Sequence, residues 1–292
     1  TLSLSIGFLG ALLVLYFGFI SPAVLARWSG VDIRLIMLTL AVALSLYFLL
    51  QANGAFVKVS RGQVLLWNAL FLLSGTGAIL VHQTAFPMDS TAFPLYQAQT
   101  TWIEQIPLFL MLILSPVVLL DFNWLAEAFA ERRPPIRQLA GGFGLAALLF
   151  LLIVLAQVFT TVYDYIPVIG PWFRDRFWLV FLAAGLGLGL PVLGVKPHKG
   201  TEINPLIRAI FFPILLSCML LAVVVSVVAE PAPETPQQPS SLRVLTYNLQ
   251  QGYTENGRRA YLEQLAVIRS FNPDIVGLQE TDTARFSGGN DD

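Results

Sequence analysis

The 292-residue chain is 56% hydrophobic and only 12% charged, with a formal net charge of −1. A soluble domain usually carries about 25% charged residues to keep its surface wet, so an ordinary soluble enzyme is excluded and something other than water must face most of this surface. No basic field for nucleic acid is visible, and the single Cys218 lies in an apolar run and cannot form an intrachain disulfide.

The chain begins at Thr1 with no basic segment before its first apolar run, and it stops at Asp292 soon after a strand signal, so both ends are expected to be truncations. A hydrocarbon core of about 30 Å needs about 20 apolar residues in helix. Seven stretches approach that length: 4–25, 35–52, 64–81, 106–122, 139–162, 177–195 and 209–229. Of these only the fourth holds a charge, Asp121 near its end, which is expected to snorkel to the interface rather than to serve as a proton relay. Pro22, Pro116, Pro191 and Pro213 predict kinks, because neighbouring helices and Ser or Thr hydroxyls can satisfy the carbonyls that a proline frees. Asn68, Gln157 and His82 are expected to hydrogen-bond between helices or at the interface. Gly185, Gly187 and Gly189, and the Gly141-Gly142 pair, are read as close-packing positions.

Lys and Arg in the short loops set the expected orientation. Lys58, Arg61, Arg132, Arg133, Arg137, Lys196, Lys199 and Arg208 fall on the side of the N-terminus, and Arg27, Arg34, Arg174 and Arg176 on the other. Eight against four puts the N-terminal side in the cytoplasm. After seven crossings the C-terminal part is then non-cytoplasmic, in periplasm, extracellular space or an organelle lumen.

Residues 230–241, EPAPETPQQPSS, form a linker whose four prolines favour extended polyproline II and cannot continue a helix. Beyond it the rhythm changes. Residues 242–248 read as a strand, 261–271 as a helix with Tyr261, Leu265 and Ile268 on one face, and 275–280 as a second strand, with Asn272-Pro273-Asp274 stopping the helix. Strand, helix and strand imply a crossover between parallel strands. Asn248 and Glu280 then fall at the carboxyl ends of the strands, where open α/β sheets place their ligands. Read from spacing alone, Asn248 is as well a turn former and Glu280 a solvated strand end.

LRVLTYNLQ followed by FNPDIVGLQETD resembles the start of the endonuclease/exonuclease/phosphatase superfamily, whose first strand ends in Asn and whose second ends in Gln-Glu. The continuation ETDTARFSGGNDD is similar to the branch joined to a multi-pass membrane region, which includes proteins that exchange GPI-anchor lipid for ceramide. The fold class this implies is a multi-pass α-helical membrane domain (1–229), the linker, and the truncated start of an α/β sandwich domain (242–292). The resemblance implies that Glu280 binds a catalytic divalent metal, Mg²⁺ or Mn²⁺, and that Asn248 helps to position metal and phosphate. A hard cation of this kind takes carboxylate, carbonyl and water oxygens, polarises a phosphoryl oxygen and activates water.

The family also needs an Asp-His pair and further Asp or Asn residues. The only histidines, His82 and His198, lie upstream of the linker, so the chain as written is expected to be inactive. The implied partners are membrane lipids and a phosphate-containing substrate such as a GPI-like glycolipid. The alternatives are a scaffold or transporter-like protein with a binding tail, and a surface nuclease, for which Arg258 and Arg259 are thin support.

Overall fold

The computed structural model describes residues 1–19, 22–82, 101–160, 168–173, 176–195, 241–249 and 260–279, with single positions between 213 and 228. Two compact units form, Thr1–Ala229 and Glu230–Asp292.

The first unit is helical: α1 (Leu2–Phe19), α2 (Pro22–Ser29), α3 (Ile33–Ala52), a 3₁₀ turn (Ala55–Lys58), α4 (Arg61–His82), α5 (Ile106–Leu114), α6 (Val117–Arg132), α7 (Ile136–Phe159), α8 (Gly170–Phe173) and α9 (Phe177–Val192). Local chemistry sets the ends. Asp32 accepts the amide of Arg34 at 2.8 Å to start α3. Ser60 and Gln63 form a reciprocal capping box ahead of α4: the Ser60 hydroxyl accepts the Gln63 amide at 3.3 Å, and Gln63 Oε1 accepts the Ser60 amide at 2.8 Å. Arg133 closes α6 in the left-handed region, at φ 40°, and Pro134-Pro135 leads into α7.

Taking α5 and α6 together, five helical stretches among the described residues are long and apolar enough to cross a membrane: Leu2–Phe19, Ile33–Ala52, Arg61–His82, Ile106–Arg132 and Ile136–Phe159. α7 displays what such a medium asks for. It buries only Gly142 and Ala146 and exposes a continuous leucine surface, in which Leu148, Leu151 and Leu155 are 52%, 61% and 47% accessible. In water a patch of that extent is a liability; in hydrocarbon it costs nothing.

Two of the expected spans come out differently. The fourth is not a single helix over 106–122, because Pro116 breaks it and the second half runs on to Arg132. The sixth ends at Val192 with Pro191 in its last turn; at 16 residues it is about 24 Å long, shorter than a hydrocarbon core. Of the seventh, the described positions Pro213, Ile214, Leu216, Ser217, Leu220, Leu221, Val224 and Val228 are helical, and the rest lies outside the described residues, as do 230–240 of the linker.

The bundle closes around α1 and α9. Leu4, Gly7, Ala11, Val14 and Gly18 make the buried stripe of α1 at helical spacing. A side chain at Gly10 would run into the backbone of Gly187 and Leu188, and Gly187 itself approaches the Gly10 Cα, so the two helices cross on glycine, as small-residue packing in membranes allows. Gly185 faces Leu72, Gly189 faces Asn68, and Gly142 faces Ser5 and Thr1, whereas nothing lies within 4 Å of a Cβ placed at Gly141.

In the second unit β1 (Val244–Asn248) and β2 (Ile275–Gln279) pair in parallel, with the helix Tyr261–Phe271 between them in sequence. Asn272 ends that helix in the left-handed region at φ 43°, and Asp274 clips β2 to the start of β1: its carboxylate accepts the Arg243 amide at 2.8 Å and its amide is given to the Arg243 carbonyl at 2.9 Å. Both strands keep exposed apolar residues, Val244, Ile275, Val276 and Leu278 among them, so this sheet alone covers neither of its faces.

Candidate functional site

Parallel pairing in register puts Val244 level with Ile275 and Asn248 level with Gln279. The two strands therefore end together, and Asn248 is the exposed last residue of β1. The ends are tied by three bonds. The Leu249 amide is given to the Gln279 carbonyl at 3.0 Å, Gln279 Nε2 to the Thr246 hydroxyl at 2.6 Å, and Gln264 Nε2 to the Leu249 carbonyl at 2.9 Å. Glu280 is the next residue after Gln279 and lies outside the described residues, as do 250–259.

Gln264 is the residue that sequence reasoning missed here. The apolar face was assigned to Tyr261, Leu265 and Ile268, but Leu265 is 39% exposed while Gln264 is 9% exposed and bonded to the chain just past β1. A polar residue at a buried helical position carries no periodicity signal; only the bond explains it.

The Tyr261–Phe271 helix thus braces the strand end that carries Asn248. The edge so formed offers an amide oxygen and backbone carbonyls, two of the ligand types a hard divalent cation takes. Among the described residues no three His, Cys, Asp or Glu side chains gather as a metal cluster.

The helical unit holds polar chemistry of its own. Asp121 is fully buried and does not snorkel; the expectation failed because α6 continues about three turns past it. Asn123 donates to the Tyr47 hydroxyl at 3.2 Å, and Asn68 gives its amide to the carbonyl of Val64 on its own helix at 3.2 Å. An open apolar groove of about 400 Å³ runs past Leu46, Tyr47, Phe56, Trp67, Ile113 and Pro116. In the loop ahead of α5, Glu104 accepts both the amide of Thr101 at 2.6 Å and its hydroxyl at 2.9 Å. The Thr101 amide first, then the hydroxyl, hold the Glu104 carboxyl below the ordinary carboxylate value, with His82 adding a smaller pull.

Comparison with known protein families, with curated proteins and with solved structures gives no match to this chain.

Proposed function

We propose that the chain is the membrane-embedded region and first β–α–β unit of an endonuclease/exonuclease/phosphatase-type protein: a membrane-anchored, metal-dependent phosphodiesterase-type hydrolase or GPI-lipid-remodelling enzyme. Its substrate is a phosphate-containing molecule at the non-cytoplasmic face. The observation that carries the reading is the shared end of two parallel strands, where Asn248 stands level with Gln279 and Glu280 follows at once. In α/β sheets that edge is where ligands bind.

In this reading Glu280 supplies the negative charge that holds Mg²⁺ or Mn²⁺, and Asn248 supplies a neutral oxygen that positions it. The metal, when bound, polarises the phosphoryl oxygen and activates water. The Asp-His pair and the remaining Asp or Asn residues of the family belong to later strands, so hydrolysis is proposed for a polypeptide that carries them. The apolar groove beside Pro116 suits an acyl chain and supports a lipid among the partners.

The test is turnover of a generic phosphodiester and of a GPI-like glycolipid by that polypeptide, purified in detergent, with Mg²⁺ and Mn²⁺ titrated. Metal-dependent cleavage of either supports the proposal. No cleavage of either under any metal, from folded protein, moves a non-catalytic binding module ahead of it.

A further inference from the structure

Asp121 is the sixteenth of the 27 residues in Ile106–Arg132, and so sits close to the middle of the stretch rather than at its end. It lies on the stripe of α6 that faces the bundle, with Val117, Trp124, Leu125 and Ala128, and it has no exposed surface. Neither carboxylate oxygen has a partner in hydrogen-bond geometry among the described residues.

Among the described residues no counter-charge faces it. The helices packed on α6 are α1, α9 and α4, joined by α7 through the Phe129–Phe143 ring stack. α1 and α9 contain no charged residue and no His; α4 has Arg61 and His82 at its two ends, and α7 has only Arg137, in its first turn. The titratable neighbour from α3 is Tyr47, whose hydroxyl feels the Asp121 charge and already accepts the bond from Asn123. On α6 itself the other charged groups are Glu127, Glu131 and Arg132, further along the helix. The polar side chain that reaches Asp121 is Asn68, an uncharged amide.

A bare carboxylate at this depth, dry and unpaired, is not a sustainable occupant of a packed bundle. The described residues of the bundle supply no positive charge to it, so solvent cations are the available source. We infer that Asp121 is a binding site for one monovalent cation, a proton or Na⁺, in the interior of the membrane-embedded unit. A divalent ion is disfavoured: beside a single carboxylate it would leave a net positive charge buried, and among the described residues no His, Cys, Asp or Glu cluster gathers to cancel it.

Loading neutralises the site. A proton from bulk water becomes covalently held on one Oδ, or Na⁺ shares the carboxylate with the Asn68 amide oxygen; release leaves the carboxylate and returns the cation. The packed arrangement is the loaded form, and emptying it opens the contact between α6 and its neighbours. The site stands apart from the phosphodiesterase reading, because its residues all lie in the first unit.

The test uses the full chain in detergent or nanodiscs. The thermal midpoint of wild type is followed from neutral to alkaline pH in Na⁺-free buffer, then with Na⁺ added, beside Asp121→Asn. The wild-type midpoint is expected to fall by about 5 °C or more as the site empties, and Asp121→Asn to lack that fall. Recovery on adding Na⁺ at constant pH identifies Na⁺; recovery only on acidification identifies the proton. Infrared spectroscopy of wild type keeps the test decisive even where the variant misfolds. A carboxylic-acid band that resists deuterium exchange, or a carboxylate band that shifts with Na⁺, is expected. A wild-type midpoint indifferent to both pH and Na⁺, together with neither band, overturns the site.

Discussion

Ser115 gives its hydroxyl to the carbonyl of Leu112 at 2.8 Å, and that carbonyl is the one Pro116 deprives of an amide partner. Trp67 on α4 completes the repair by donating its indole N–H to the carbonyl of Leu114 at 2.8 Å. The break between α5 and α6 is thus satisfied from within its own helix and from a neighbour, which is what allows it in an apolar medium. Ser115→Ala and Trp67→Phe are each expected to cost about 0.5–2 kcal/mol, measured as unfolding free energy in mixed micelles. Pro116→Ala, which restores the amide, should make the Ser115→Ala loss largely disappear.

The glycines of the bundle divide by what surrounds them. Gly10→Ala pushes a methyl against the Leu188 backbone, which cannot rotate away, and is expected to cost about 1–3 kcal/mol. Gly141→Ala meets nothing within 4 Å and should be neutral or stabilising by up to about 1 kcal/mol, since alanine is the better helix former. Thermal unfolding of the two variants side by side checks this; equal effects would contradict the α1–α9 crossing.

Glu104 provides the pH prediction. Its folded value lies below its ordinary 4.5, so the stabilisation of the Thr101–Glu104 turn is fully present above 4.5 and is lost as pH falls through the lower, folded value. The protection of the Thr101 amide, its exchange rate set against the intrinsic rate at each pH, should fall as the solution is acidified through that range. Glu104→Gln, which cannot titrate, should show no such acid-dependent step.

How far the sequence carried can be judged at particular residues. The apolar runs, the Asn272 stop and the two strands were legible because periodicity and turn chemistry act over a few neighbouring residues. The end of α6 was not. The apolar run stops at Phe122, yet the buried face of Val117 and Asp121 continues through Trp124, Leu125 and Ala128 past the polar Asn123, Glu127 and Glu131. That periodicity was the available signal, hidden because mean hydropathy had fallen. The bonds of Gln264 and Trp67 join residues distant in sequence and leave no local trace. Asn248 was placed at a strand end by local pattern alone, while its register with Gln279 needed the pairing.

The proposed orientation has its own test. With Cys218 replaced by Ser, a cysteine at Ser240 should react with a membrane-impermeant thiol reagent added to intact bacterial cells whose outer membrane admits it. Labelling only after the inner membrane is permeabilised would put the C-terminal unit in the cytoplasm and reverse the loop-charge assignment.

The most direct test of the proposed chemistry is Glu280→Gln in a polypeptide carrying the family's later strands, assayed for Mn²⁺ affinity and phosphodiester turnover against wild type. Gln keeps the shape and one carbonyl oxygen and removes the charge, so folding and membrane insertion should be unchanged. Turnover and metal affinity should fall by more than the roughly 10–100-fold that loss of an outer-shell partner costs, and Asn248→Ala should fall within that smaller range. Wild-type turnover and metal affinity in Glu280→Gln would contradict the metal-site assignment.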